Sequence, residues 1–456
     1  MFNAFVVLLR ALLKGQSSIN KVWIGTCAAL LLGACAFVNS VEPEKPKTSS
    51  DQVQHLYVLA KDHGDDAAQL GLGEMYAVGH EVPQDYEQAW YWYRQAANQG
   101  NATAQLRLAE MYTMGHGVSR DYTEAGHWYR LAASQGNVLA QLRLGRMYDQ
   151  SKGVSTDYQE ASHWYQMAAN NGDAQAQLRL GEMFDRGHGV PQDYQEASLW
   201  YRMAAKQGDA VAQLRLGEMF DQGHGVPQDY QEASLWYRMA AKQGDVGAQL
   251  RLGEMFDQGH GVPKDYREAS HWYRMAAEQG NTSAQIRMAE KFILGEGVSE
   301  NHTEAARWYR LAADKGDPLS QLHLGEMYET GKGVDRDYNE ASRWYHLAAE
   351  QENPLAQLHL GEMYEGGQGV PQNYIKATKW YTRSADQGQV EAQFKLGNLY
   401  AFREDYVNAH MWLNLCAASG HEKAQNRLAE IASVMTHDQI EKAQELAREW
   451  SVVRNR

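Results

Sequence analysis

Histidine offers the first chemistry to consider in this sequence. His80, His116, His188, His224 and His260 recur in the Gly-x-Gly turn, where Glu81 replaces the second glycine after His80, and His127, His163 and His271 recur directly before tryptophan. Zinc ligands must converge on one ion at about 2.0–2.1 Å. Residues spaced 36 apart on successive helices sit at least a helix-packing distance apart, about 8–10 Å, so these ladders cannot share an ion, and no metal or cofactor is expected. A second ladder is charged. Arg107, Arg143, Arg179, Arg215 and Arg251 are followed three residues later by Glu110, Arg146, Glu182, Glu218 and Glu254. On a helix, positions i and i+3 face the same way, and an Arg/Glu pair there is worth about 0.2–0.5 kcal/mol. The ladder is therefore either a solvated face or a binding face for an extended peptide or a partner helix. Cys416 falls on an apolar helical face and reads as a core thiol rather than a nucleophile. No Gly-x-Ser-x-Gly elbow, phosphate-cradling loop or His-Glu-x-x-His helix occurs, and the glycines sit where helices should end. The expectation is a protein without catalytic residues.

The elements that carry these ladders follow from a repeat. Ala-Gln recurs from Ala68-Gln69 through Ala104-Gln105 to Ala392-Gln393 every 36 residues, with Ser320 in place of alanine once. Tryptophan keeps the same beat at Trp92, Trp128, Trp164, Trp200, Trp236, Trp272, Trp308, Trp344 and Trp380, which are expected to form the structural core. In the copy from Asp173 to Gly208, Ala176, Leu180, Met183 and Phe184 have the spacing of one helical face, and Ala197, Trp200, Tyr201, Ala204 and Ala205 repeat it in a second helix. Gly187 and Gly189 read as the stop of the first helix, here called helix A. Asp193 with Glu196 reads as a capping box opening the second, helix B. Gly208 ends helix B, and Asp209 caps the next helix A. Residues 176–209 and 212–245 are the same string except Arg186 against Gln222, as expected where copy number is free to change.

These positions, Ala-x-x-x-Leu-Gly-x-x-Tyr/Phe followed by Gly-x-Gly-Val, Asp-Tyr-x-x-Ala-x-x-Trp-Tyr and Ala-Ala-x-x-Gly, resemble the signature of Sel1-like repeats, relatives of the tetratricopeptide repeat. The resemblance covers roughly residues 55–424. It implies an all-α fold, a right-handed α-solenoid of about ten 36-residue helix-turn-helix repeats with terminal capping helices, acting as an adaptor or scaffold. It also implies that helix A lines a concave groove for partner proteins, which would place Arg143, Arg179, Glu182, Arg215, Glu218, Arg251 and Glu254 on the binding face. Ala109 and Ala289 depart from the signature glycine, and His302 from the turn tyrosine.

The start of the chain differs from the rest. Lys14 and Lys21 precede an apolar run from Val22 to Ala36, the layout of a secretory signal. The run ends in Leu32-Gly33-Ala34-Cys35, which resembles a bacterial lipobox with Cys35 as the lipidated residue; an uncleaved anchor is the alternative. The expected organisation is a signal over 1–34, a flexible tether over 35–50, the repeat array over 51–424 and capping helices over 425–456. The net charge of the 456-residue chain is −14, and because residues 1–34 carry three bases and no acid, the remainder is more acidic still. Such a body repels phosphate backbones, so nucleic acid is not an expected partner. The function expected is a non-enzymatic protein–protein interaction scaffold, attached by an N-terminal lipid or anchor to the bacterial cell envelope, with the periplasmic face of the outer membrane favoured. The alternatives are a secreted host-interaction factor using the same groove and a regulatory partner of a cell-wall or polysaccharide enzyme.

Overall fold

A computed structural model describes Lys45 and residues 51–454. The segments expected to be a signal and a tether, including Cys35 but not Lys45, lie outside the described residues. Among those described there are 23 helices and no strand, arranged as tandem hairpins in a solenoid. They form two compact units, 51–212 with 224–226, and 213–223 with 227–454.

The local rules act alike in both units. In the first, helix A of one repeat runs Ala174–Arg186 and is opened by Asp173, whose carboxylate accepts from the Ala176 amide at 2.7 Å. It closes at Gly187, held at φ 72° in the left-handed region that favours glycine. Helix B, Tyr194–Lys206, is capped by Asp193, whose Oδ1 accepts from the amides of Gln195 and Glu196 at 2.9 and 3.1 Å. The cap is one-sided. The Asp193 amide donates to the Phe184 carbonyl at 2.9 Å, across the turn. That donor is thus already used, and the reciprocal half of a capping box has nothing to bind. Gly189 likewise does not stop helix A. A Cβ at this position would overlap the Tyr158 carbonyl at the start of the preceding helix B, so the residue is small because two repeats meet there.

Burial follows the stripes. Helix B turns Ala197, Trp200, Tyr201, Ala204 and Ala205 inward. Gly181 of helix A lies against the Tyr201 ring, where a Cβ would sit 2.7 Å from Cδ1. Trp92, Trp128, Trp164, Trp200, Trp272, Trp308, Trp344 and Trp380 are buried, and Trp236 is partly buried.

A polar thread runs through this apolar core. The glutamine of each Ala-Gln pair is buried. Gln177 donates Nε2 to the Ala169 carbonyl of the preceding helix B at 3.1 Å, and its Oε1 accepts from Gln207, at the end of its own helix B, at 2.8 Å. Gln207 also reaches back to the Gly172 carbonyl at 2.9 Å. In the second unit Gln249 makes the same bonds to Ala241 and Gln279. A buried amide satisfied at both ends fixes how one hairpin sits on the last.

In the second unit the helix Glu422–Ala432 follows the last hairpin, and His437–Arg454 packs against Tyr406–Ala418. Trp450 lies edge-on to Trp412 at 5.8 Å and donates its indole N–H to Asp386 at 3.1 Å, covering part of the core of the last hairpin.

Candidate protein-interaction surface

The charged ladder of helix A is a row of ion pairs. Arg179 meets Glu182 at 2.7 Å in the first unit; in the second, Arg215 meets Glu218 at 2.9 Å and Arg251 meets Glu254 at 3.0 Å. Arg107–Glu110 and Arg287–Glu290 extend the pattern at 3.1 and 3.0 Å. The arginine side chains keep 37–47% of their exposure, so each pair is solvated and contributes little to stability. Arg143 differs. Arg146 stands where its partner glutamate would be, and among the described residues Arg143 has no ion pair, while Arg146 donates to the Gln175 side chain.

Behind the pairs lies a row of phenols that the sequence reading missed. Tyr345 and Tyr381 of helix B, fully buried, donate to Glu329 and Glu365 of their own helix A at 2.6 Å. Tyr237 does the same to Asp221 at 3.2 Å. Burial, reinforced by these carboxylates, raises the phenol pKa values, so the tyrosines act only as neutral donors. The signal was present as an acidic residue six positions after the rung cation.

The rung cation changes along the chain. His323 and His359 take the place of arginine, and Lys395 follows. His323 pairs with Glu326 at 2.9 Å and Lys395 with Glu362 at 3.1 Å. His359 lies within 3.8 Å of Glu326 and Glu329 and 3.5 Å of Glu362.

In the first unit the surface is indented between the helices Asp66–Val78 and Ala102–Met114. Tyr93 and Met111 line the cleft, Glu74, Arg107 and Glu110 edge it, and Val78 and Met114 beside it are among the most exposed apolar side chains. This combination offers an apolar seat within a charged frame.

The turn histidines His116, His188, His224 and His260 stack on Tyr86, Tyr158, Tyr194 and Tyr230 at 4.7–5.3 Å. Among the described residues no group of three or more His, Cys, Asp or Glu is arranged to hold a metal ion. Cys416 is buried, donates to the Val390 carbonyl at 3.4 Å, and has its thiol pushed up to about 11 by burial and the Glu391 charge. No described helix is long and apolar enough to cross a membrane.

The Sel1 repeat matches ten consecutive segments, 66–101, 102–137 and so on to 390–421. Comparison with curated proteins gave no match. Among solved structures, the chain is similar to a protective antigen of uropathogenic Escherichia coli that displays an SLR fold. The two are 30% identical over 87% of this chain and 94% of that one, with a TM-score of 0.60. It is also similar to a Sel1 repeat protein from Oxalobacter formigenes, 33% identical over 80% of this chain and 99% of that one, with a TM-score of 0.54. With the matched segments tiling residues 66–421, the chain belongs to the Sel1 repeat family.

Proposed function

We propose that this protein is a non-enzymatic scaffold, as Sel1 repeat proteins generally are, and that it binds partner proteins along the helix A surface while held at the bacterial cell envelope by its N-terminal segment. One observation carries the reading. The aromatic pairs of helix B are buried or partly buried in the core, whereas helix A presents half-exposed guanidinium groups, each beside a less exposed carboxylate, at the same place in several repeats. Pairs that stabilise so little are available to be re-paired with a ligand. Arg143, with no ion pair of its own among the described residues, supplies a cation already free for a partner's carboxylate. The Leu32-Gly33-Ala34-Cys35 sequence supports a lipid tether at Cys35, with residues 35–50 as the spacer.

Reversing the charge of Arg179, Arg215 and Arg251 together tests the surface. In-cell crosslinking should recover less of the partners trapped by wild type, with the melting temperature unchanged; undiminished capture contradicts the reading. Mass spectrometry of the N-terminus tests the tether. Diacylglyceryl-modified Cys35 in the membrane fraction is the expected result, and an unmodified chain in the culture medium would replace the tether with secretion.

A further inference from the structure

We propose that the joint between repeats 318–353 and 354–389 is a pH-responsive hinge point: protonated His359 binds the carboxylates of the two repeats together, and neutral His359 releases them. The inference stands on this joint alone and needs no partner.

The repeats themselves provide the comparison. At the rung position Arg215, Arg251 and Arg287 carry a charge that no accessible pH removes and each pairs with a glutamate of its own helix, while Arg107 and Lys395 also reach a glutamate of the preceding helix A. His359 spans such a boundary with a charge that pH does remove. From the helix Pro354–Gly366 its Nε2 lies 3.8 Å from Glu326, and its Nδ1 lies 3.8 Å from Glu329, both on the preceding helix A, Pro318–Thr330. Nδ1 also lies 3.5 Å from Glu362 on its own helix. The ring is stacked on Tyr345 of the helix Tyr338–Glu350, at 4.9 Å with 9° between the planes. Tyr345 in turn donates to Glu329 at 2.6 Å, which holds that carboxylate toward the imidazole.

Two other cations border the group. His323 is 2.9 Å from Glu326, and Lys395 of the helix Val390–Phe402 is 3.1 Å from Glu362. Tyr381 of the helix Tyr374–Asp386 is engaged with Glu365 at 2.6 Å. When His359 loses its proton, Glu362 keeps Lys395 and Glu326 keeps its contact with His323. Glu329 keeps no cation, and carboxylates of two repeats are left facing each other.

Burial disfavours the protonated ring, but the close approach of Glu362 and the charges of Glu329, Glu362 and Glu326 outweigh it, so His359 titrates above its ordinary value. A histidine raised in the folded state contributes stability that is fully present below the unfolded value, about 6.5, and lost as pH rises through the folded one. His346, on the face of the helix Tyr338–Glu350 turned to Tyr364 and Trp380, is lowered by burial and acts with the opposite sign. The test must therefore compare variants at His359 rather than rely on pH alone.

Amide hydrogen exchange on the full chain, corrected for intrinsic rates, reads the joint. Between about pH 5.5 and pH 8.5, protection of the helices Pro318–Thr330 and Pro354–Gly366 should fall at least about threefold in wild type. The arginine-rung helix Val246–Gln258 should not follow. His359→Arg should abolish the fall, leaving high protection throughout, and His359→Gln should hold the joint at the wild-type alkaline level. A flat wild-type profile, an equal fall in Val246–Gln258, or a fall that persists in His359→Arg overturns the proposal. The wild type and the arginine variant decide the matter even if the glutamine variant does not fold.

Discussion

Asn171 stops short of Gln141. In seven other repeats the residue thirty positions after the buried glutamine is itself glutamine and donates to it, as Gln207 does to Gln177 at 2.8 Å. Asn171, one methylene shorter, turns its amide to the Met167 carbonyl at 2.9 Å and leaves the buried Oε1 of Gln141 without a hydrogen-bond partner. Lys315 does the same to Gln285, spending its ammonium on the Gly280 carbonyl. A buried acceptor left unpaired costs about 1–3 kcal/mol. Asn171→Gln and Lys315→Gln should each stabilise the protein by about 1 kcal/mol in urea titration, and Gln207→Asn should destabilise it by a similar amount.

The cap series has one gap. Asp or Asn opens helix A in the preceding repeats, but Gln389 opens Val390–Phe402 with no side-chain cap bond, although its backbone has the extended cap conformation. The longer side chain cannot turn back onto the third amide. Gln389→Asp should add about 0.5–1 kcal/mol, read as a rise in the urea midpoint at unchanged slope.

Much of this was legible in the sequence, and the parts that were not share a cause. Period, helix limits and the inward stripes come from contacts within one helix or turn, which is why Asp173, Gly187 and the Trp200–Tyr201 pair read correctly. Gly189 and Glu196 were misread because what decides them lies elsewhere: the Tyr158 carbonyl of the previous repeat excludes a side chain at Gly189, and the Phe184 carbonyl takes the amide that Glu196 would have bound. The glutamine thread was visible only as a beat. A polar residue ordinarily reads as exposed, and nothing local reveals that Gln177 is paired with Gln207. The Arg–Glu pairs within one helix A follow from i, i+3 spacing. The reach of His359 across a repeat boundary does not, because it depends on how two hairpins stack.

Lys291 occupies a position where neighbouring repeats bury Met255 and Met327. Its ammonium is paired with Asp257 and, at 2.6 Å, with Glu296, and it lies 4.6 Å from the centre of the Tyr266 ring. Glu296 stands where His260 and other repeats stack histidine on tyrosine, so lysine and glutamate replace methionine and histidine together. Returning a buried ion pair to apolar packing is often neutral or stabilising by about 1–4 kcal/mol, whereas breaking one leaves charge behind. Lys291→Met with Glu296→His should be at least as stable as wild type in urea. Lys291→Met alone should be less stable than the double variant.

Trp272 is buried inside the second unit, between repeats on either side. Trp272→Ala should cost about 3–5 kcal/mol. Because each hairpin relies on its immediate neighbours, hydrogen exchange should accelerate most in the adjoining helices, Val246–Gln258 and Thr282–Leu294, and least in His437–Arg454. A uniform acceleration would show the loss to be global.

The fold is a 36-residue brick repeated, each copy leaning mainly on the bricks beside it. Excising residues 246–281, one whole Sel1 repeat, joins Asp245 to Thr282 and lets the aspartate cap helix A as it did before. Circular dichroism should then give unchanged helicity per residue and cooperative unfolding, whereas excising only 246–263 should degrade both. If the full-repeat deletion loses helicity as severely as the half-repeat deletion, the repeat is not the unit of this fold.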